Sequence, residues 1–185
     1  MSPYNAEIRN VYGSLGGTAF PSLESGEIVV RPGNGYYDIE IDNIALEIDE
    51  ERHANHDRLV TFGSIIYDGQ VWVETFKEYC AIHENECFKA ASYGRNWSTP
   101  NSHRQFTPPL LEGDVSFSPR WKQRAFYDWL KDLSPHVVEM RLARISIYDR
   151  LIIAGKEYTV GKILSDNRVE AAMELRHLID SRIMA

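Results

Sequence analysis

The chain of 185 residues has only two cysteines, Cys80 and Cys87. Two cysteines are too few for the disulfide framework of a small secreted domain, and they fit a reducing compartment. No apolar run approaches the roughly 18 residues that a membrane helix requires. The first residues, "MSPYNAEIRNVYG", lack the basic head and apolar run of a signal peptide. We therefore predict a soluble, cytoplasmically made protein with no membrane partner.

The chain also has fewer basic than acidic residues. Twenty lysines and arginines stand against 27 aspartates and glutamates, which gives a formal net charge of −7. A protein that grips phosphates across a broad face needs the opposite balance. The composition therefore disfavours tight nucleic-acid wrapping. It remains compatible with a channel through which DNA slides, because an acidic wall repels phosphates instead of holding them.

Complete catalytic signatures are missing as well. The segment "GSLGGTAF" at 13–20 has glycines but lacks the lysine and the serine or threonine of a phosphate loop. The segment "RHANHD" at 52–57 contains the letters of the His-Asn-His nuclease motif, but in that family the letters are spread along a ββα fold. We interpret it as a polar loop joining two strands. We accordingly expect no enzymatic activity and no cofactor.

The secondary-structure pattern is dominated by strand signals. Prolines and glycines are dense in residues 1–35, which predicts an extended arm. From residue 36 we expect one β-rich domain reaching residue 185, and alternation around Ile39 and Ile41 predicts its first strand. Residues 58–76 carry two β-branched and aromatic runs around Asp68-Gly69, which predicts a hairpin.

Two helices interrupt these strands. Helix formers after residue 76 predict one that ends near Gly94, with Phe76, Cys80, His83 and Cys87 at helical spacing. Ser118-Pro119 predicts the start of the second, which Ser134-Pro135 ends. One face of this helix carries Trp121, Ala125, Trp129 and Leu133. Between the two helices, residues 94–118 predict a long loop.

The last third returns to strands. Alternation at 138–148 and two apolar runs around Ala154-Gly155 predict a strand followed by a hairpin. Residues 168–180 fit either a strand or a helix, and we favour a third strand beside the hairpin. The predicted fold is therefore α+β and mainly β, a small β-barrel or sandwich with two helices, an N-terminal arm and a long loop.

A set of thiols and imidazoles is the strongest candidate for chemistry. Cys80, His83 and Cys87 are spaced one turn apart on the first predicted helix, and His53 and His56 lie upstream. Thiolates and imidazoles of this kind bind zinc, and a cysteine near a histidine is also the basis of thiol hydrolases. Buried cysteines are common core residues. We expect no bound zinc, and we keep a small metal- or thiol-dependent enzyme as the alternative function.

The long loop interleaves aromatic and basic residues, as a single-strand binder would. Because the remainder of the chain is acidic, we interpret Trp97, Arg104 and Phe106 as protein contacts, since tryptophan and arginine are favoured interface anchors. The exposed turn residues Lys156 and Glu157 are further candidates for an interface.

The C-terminal hairpin resembles a known family. "DRLIIAGKEYTV" at 149–160, followed by "GKILSDN" and an alternating segment, is similar to the hydrophobic strand, Gly-Lys turn and following strands of tailed-phage head-to-tail connector proteins. These adaptor, stopper and tail-completion proteins share a β-barrel theme, and the resemblance covers about residues 138–180. The residues at 53–87 match nothing in those proteins.

The resemblance implies a non-enzymatic structural role in a virion neck. The chain would form a homo-oligomeric ring assembled in the host cytoplasm, with portal or neighbouring neck and tail proteins as partners. DNA would pass through the lumen without specific binding. The arm and the long loop suit such contacts, because segments of this kind gain order at an interface. A third possibility is an acidic protein that binds and inhibits a host protein.

Overall fold

The computed structural model describes residues 4–18, 37–91, 98–106 and 118–184. These residues fall into two compact units. The helical unit comprises the described residues within 1–31 and 51–131, and the sheet unit comprises those within 32–50 and 132–185. In chain order, most of the helical unit is thus inserted between two strands of the sheet unit. No helix in the described ranges is long and apolar enough to cross a membrane.

Five α-helices begin among the described residues of the helical unit, and aromatic residues fill its interior. The helices are α1 (Tyr4–Ser14), α2 (His56–Thr61), α3 (Trp72–Ala90), α4 (Pro100–Gln105) and α5 (Pro119–Leu133), with short 3-10 turns at Glu51–His53 and Ile65–Tyr67. Trp121, Phe126 and Trp129 are fully buried. The rings of Phe126 and Trp129 stack with centroids 6.0 Å apart. Aromatic burial of this kind stabilises a small core strongly, because each ring removes a large apolar area from water.

The sheet unit has a four-stranded sheet in the order β1-β2-β3-β6. Its strands are β1 (Ile39–Ile41), β2 (Ile44–Asp49), β3 (Arg141–Ser146) and β6 (Ile183–Met184). Strands β2 and β3 are parallel, with Ile44 opposite Arg141 and Asp49 opposite Ser146. The other two pairings are antiparallel. Strand β2 is almost wholly buried, as expected for a central strand paired in parallel.

A hairpin and two helices complete the sheet unit. Strands β4 (Arg150–Ile153) and β5 (Lys156–Thr159) form a separate two-stranded sheet, and α6 (Val160–Ser165) and α7 (Ala172–Ser181) follow. Short 3-10 turns lie at Ser134–His136 and Val169–Ala171. Apolar residues of the sheet and both helices share one core: Ile44, Leu46, Ala143, Ile145, Val160 and Ile179.

The prediction of a mainly-β barrel or sandwich is wrong. Most of the described residues are helical, and both sheets are small and open. The main error lies at 58–76, where the predicted hairpin is replaced by α2, a 3-10 turn and the start of α3. Gly69 does adopt a positive φ of 80°, but it turns the chain between helical segments.

Aromatic packing explains why this stretch is helical. The ring of Phe62 contacts the rings of Tyr67, Trp72 and Phe76 with centroids 5.2 to 6.4 Å apart. These contacts join the end of α2 to the first turns of α3. Because tertiary packing of this kind outweighs the weak preference of β-branched residues for strands, the local pattern was misleading.

The C-terminal strand is also wrong, since residues 172–181 form α7. Its inner face is carried by Leu175, Leu178 and Ile179, and Ala171 precedes them at the same period. Positions separated by four, seven and eight residues lie on one side of a helix. The alternation of apolar and charged residues at 169–176 was therefore a coincidence of spacing.

The predicted arm and long loop are each partly helical. Residues 4–14 form α1, whereas 19–36 lie outside the described residues. Residues 100–105 form α4, which begins with a capping box between Thr99 and Ser102. Such a box satisfies two backbone donors that a helix start leaves open, so even this proline-containing segment forms a helical turn.

Several local predictions are confirmed. Helix α5 starts after Ser118 and ends before Ser134-Pro135, with its predicted apolar face buried. The hairpin at 150–159 is present, and its turn residues Ala154 and Gly155 have φ angles of 49° and 77°. The strand predicted around Ile39 and Ile41 is present but reverses at Asp42-Asn43, which also have positive φ angles.

Candidate functional site

The polar stretch 52–57, predicted to be a loop joining two strands, instead contains the end of a 3-10 turn and the start of α2. Asn55 is the N-cap of α2, and its Oδ1 accepts a hydrogen bond from the backbone N–H of Arg58 at 3.0 Å. Its side-chain amide donates to Sγ of Cys87 on α3 at 3.4 Å. Capping by asparagine stabilises a helix start by about 1 kcal/mol. The cap therefore fixes His56 and Asp57 against α3.

Glu84 of α3 orients the imidazole of His56. One carboxylate oxygen, Oε1, accepts from the backbone N–H of His56 at 2.8 Å and from Nδ1 at 2.7 Å. The ring of Phe88 stands edge-on to the imidazole, with centroids 6.0 Å apart. Because Nδ1 carries the donated proton, Nε2 of the neutral ring is a proton acceptor. The His56 side chain is 39% exposed, so this acceptor belongs to a group that solvent reaches.

Asp57 is a buried carboxyl beside that acceptor. Its side chain is 6% exposed, and its Oδ1 lies 3.6 Å from Nε2 of His56. Its other oxygen, Oδ2, has no hydrogen-bond partner among the described residues. Burial raises the pKa of Asp57 to about 6, against lowering effects from His56 and Lys122 and a raising effect from Glu84. The carboxyl thus exchanges its proton close to neutral pH.

His53 is held on both sides. Its Nδ1 lies 2.8 Å from Oδ2 of Asp128, and its Nε2 lies 2.5 Å from Nη2 of Arg124. Arginine only donates, so Nε2 accepts and Nδ1 donates to the aspartate. Because both ring nitrogens are bonded to residues of α5, His53 links the turn at 51–53 to that helix. We therefore interpret His53 as a structural residue.

The predicted thiol and zinc set is not assembled into one site. Cys80 and Cys87 are buried, and His83 pairs with Glu86 on α3 at 3.1 Å. Burial raises the pKa of Cys87 to about 11, so its sulfur stays a thiol at neutral pH and is a poor nucleophile. In the part of the chain that the structure describes, no three histidine, cysteine or acidic side chains are grouped to hold a metal ion.

The predicted interface residues have different surroundings. Phe106, which was expected to contact another protein, is fully buried against Tyr12 and Phe126. That prediction is corrected, because the ring belongs to the core. Arg104 is exposed, and Trp97 lies outside the described residues. Lys156 and Glu157 are exposed on the hairpin, where Glu157 accepts from Arg150 at 2.6 Å.

Sequence reasoning found His56 but missed its partners. Asp57 and Glu84 are 27 positions apart in the chain and come together only because α2 packs against α3. One local signal was available, since asparagine followed by His-Asp-Arg fits a helix N-cap with an acidic residue in the first turn. Reading that signal would have placed His56 and Asp57 on a helix.

Of three comparisons with known proteins, one gives a match. No curated protein and no solved structure matches the chain. A family model does match residues 10–166, a range that contains every residue of the cluster around His56 and Asp57. The matched family is described as a family of unknown function, DUF7255, and the chain belongs to it.

Proposed function

We propose that the protein is a small hydrolase that works by general acid–base catalysis, with His56 as the base and Asp57 as the acid. The proposal depends on one observation. An oriented imidazole that solvent reaches lies beside a buried carboxyl whose Oδ2 has no hydrogen-bond partner within the described part of the chain. Buried polar groups are nearly always satisfied, so an exception is a functional-site candidate.

The chemistry is that of hydrolysis at a polar ester. Nε2 of His56 takes a proton from water, the hydroxide oxygen bonds to the electrophilic centre, and the bond to the leaving oxygen breaks. Asp57 gives its proton to that leaving oxygen. The imidazolium then returns a proton to the Asp57 carboxylate across the 3.6 Å gap. This last transfer restores both groups, so the cycle balances without a further reactant.

Glu84 acts in this scheme as a positioning residue. Its carboxylate holds the Nδ1 proton and stabilises the imidazolium that forms when Nε2 is protonated. The pKa of about 6 suits Asp57 to the acid role, because an effective proton donor has a pKa near the working pH.

Hydrolysis of a panel of chromogenic esters tests the proposal. The panel contains carboxylic esters, phosphate esters and glycosides, measured with the full chain across pH 5 to 9. We expect His56→Gln and Asp57→Asn each to lower kcat by about 100-fold or more, the usual contribution of a positioned acid or base. We expect Glu84→Gln to lower kcat less and to shift its pH profile.

His83→Gln is the matched control, because it makes the same change on α3 outside the cluster and should leave kcat unchanged. No hydrolysis of any class, or equal rates for the wild type and His56→Gln, would reject the proposal.

The second candidate function is that of a ring-forming subunit of a virion neck. This function would place the protein in the virion. The barrel that suggested it is contradicted, and what still favours it is the exposed hairpin β4–β5. Ile152 on that hairpin is 68% exposed, next to the surface pair Arg150 and Glu157. Mass measurement under native conditions decides it: a closed ring supports this function, and a monomer at all concentrations, with a partner ring present, counts against it.

A further inference from the structure

The helical unit contains a cavity of about 460 Å³ between the end of α2 and the first turns of α3. Its lining residues in the described part of the chain all lie between Phe62 and Lys77, so it shares none with the cluster around His56 and Asp57. Ligand pockets in proteins have volumes of about 300 to 1,000 Å³. The cavity is therefore large enough to hold a ligand of its own.

The inner wall of the cavity is apolar. Phe62, Tyr67 and Val73 line it and are buried. The rings of Phe62 and Tyr67 contact each other with centroids 5.2 Å apart. Val71 also lines the cavity but is 86% exposed. An apolar side chain this exposed gains free energy when the apolar part of a ligand covers it.

The rim of the cavity offers hydrogen-bond acceptors. The exposed carboxylate of Asp68 has no ion pair and no side-chain hydrogen bond with any residue that the structure describes. The side-chain oxygen of Gln70, Oε1, accepts from Nε1 of Trp72 at 3.1 Å. An amide oxygen has two lone pairs, so this bond fixes an oxygen that can accept a second hydrogen bond. A ligand with several N–H donors fits such a rim.

The charges that line the cavity favour a cation. Nζ of Lys77 lies 2.7 Å from Oε1 of Glu74, so the one ammonium group of the lining already has a carboxylate partner. Asp68 adds a second carboxylate, which leaves the lining with an excess of one negative charge. The formal net charge of the whole chain is −7 and has the same sign. Charge complementarity of this kind selects a positively charged partner.

We propose that the cavity binds the guanidinium group of an arginine side chain in a partner peptide, with Asp68 as its counter-ion. A guanidinium group carries five N–H donors in a planar fork that pairs with a carboxylate through two hydrogen bonds. These donors match the acceptors of Asp68 and Gln70. The apolar stem of arginine packs along apolar surface while its charged end stays polar, and Val71 provides that surface.

Calorimetric titration of the full chain with N-acetylarginine amide at pH 7 tests the proposal. We expect binding at millimolar concentration, and no binding of N-acetylcitrulline amide, which has nearly the same shape without the charge. Asp68→Asn should weaken binding by about tenfold or more, the usual effect of losing a charge-assisted hydrogen bond. Asp68→Glu should keep most of the affinity. Unchanged melting temperatures show that the variants fold.

Glu78→Gln is the matched control, because it neutralises an exposed carboxylate on α3 that does not line the cavity. It should bind the arginine probe as the wild type does. Lys77→Met should strengthen binding by about twofold or more, since it frees Glu74 from its exposed ion pair.

Three results would overturn the proposal. They are absence of binding by the wild type, equal binding of the arginine and citrulline probes, and equal binding by the wild type and Asp68→Asn. Weaker binding by Lys77→Met would also overturn it, because it would mean that the cavity selects an anion.

Discussion

Buried carboxylates occur in both units, and Asp57 of the helical unit differs from the carboxylates around Arg144 of the sheet unit. In the sheet unit, the fully buried Arg144 donates from Nε to Asp132 at 2.8 Å and from Nη1 to Asp49, with Glu47 at 3.9 Å. In the helical unit, Oδ1 of the buried Asp57 lies 3.6 Å from Nε2 of His56, and its Oδ2 has no hydrogen bond from any residue that the structure describes. The carboxylates around Arg144 are thus paired with a cation, whereas one oxygen of Asp57 lacks a partner among the described residues.

A second arginine extends the pattern in the sheet unit. Arg182 donates to Oδ1 of Asp149 at 2.8 Å, and the other oxygen of Asp149 accepts from the backbone N–H of Ser146 at 2.7 Å. Satisfied buried networks rigidify a core, whereas an unsatisfied group persists only where the surrounding fold compensates for its cost. The contrast separates the carboxylates bound by Arg144 and Arg182, which stabilise the sheet unit, from Asp57, for which we propose a chemical role.

The largest effect should come from breaking the paired network. Arg144→Met leaves Glu47, Asp49 and Asp132 buried without their shared cation, which should lower the free energy of unfolding by about 3 to 5 kcal/mol. Urea denaturation measures this value. Arg150→Met removes an exposed pair with Glu157 and should cost less than about 1 kcal/mol. A loss for Arg144→Met as small as that of Arg150→Met would erase the distinction between the two units.

Replacing Asp57 by asparagine should have the opposite effect to Arg144→Met and increase the free energy of unfolding. The pKa of Asp57 rises from 3.8 to about 6 on folding, so the folded state holds this proton more tightly than the unfolded state does. The resulting stability is fully present below pH 3.8 and is lost as pH rises through about 6. Asp57→Asn cannot ionise and avoids that loss.

Asp57→Asn should therefore raise the free energy of unfolding at pH 8 by up to about 3 kcal/mol, and the gain should vanish below about pH 4. Urea denaturation at a series of pH values tests both statements. The exposed Asp166 is the control, because a hydrogen bond from Lys162 lowers its pKa. Asp166→Asn should give a small loss at neutral pH that disappears as pH falls. A loss of stability for Asp57→Asn at pH 8 would contradict the raised pKa.

The smallest effect concerns the exposed hairpin of the sheet unit, where backbone geometry and surface charge are separable. Gly155 has a φ of 77° and open space around its Cα, so Gly155→Val should cost about 1 to 3 kcal/mol through backbone strain alone. Lys156→Glu on the exposed turn should change stability by less than about 0.5 kcal/mol. Melting temperatures compare the two variants, and equal losses would mean that the turn is not strained at Gly155.

Signals carried by neighbouring residues were readable from the sequence. Ser118-Pro119 marked the start of α5, Ala154-Gly155 marked the hairpin turn, and the face of Trp121, Ala125 and Trp129 proved buried. Each depends on capping, on a positive φ or on helical periodicity, which are properties of a few adjacent positions. The fold class was not readable, because residues 58–76 and 169–180 carry patterns that fit both strand and helix.

The sequence by itself determined the helix caps, the tight turns, the acidic balance and the presence of His56 in a polar stretch. Tertiary structure alone decided that Glu84 fixes this histidine, that Asp57 is buried beside it and that Lys122 from α5 adds its charge. The physical reason is that a pKa, a hydrogen bond and a desolvated charge depend on atoms brought together from distant parts of the chain. Asp57 and Glu84 are 27 positions apart in the sequence. A local sequence pattern therefore cannot show that they lie close together in space.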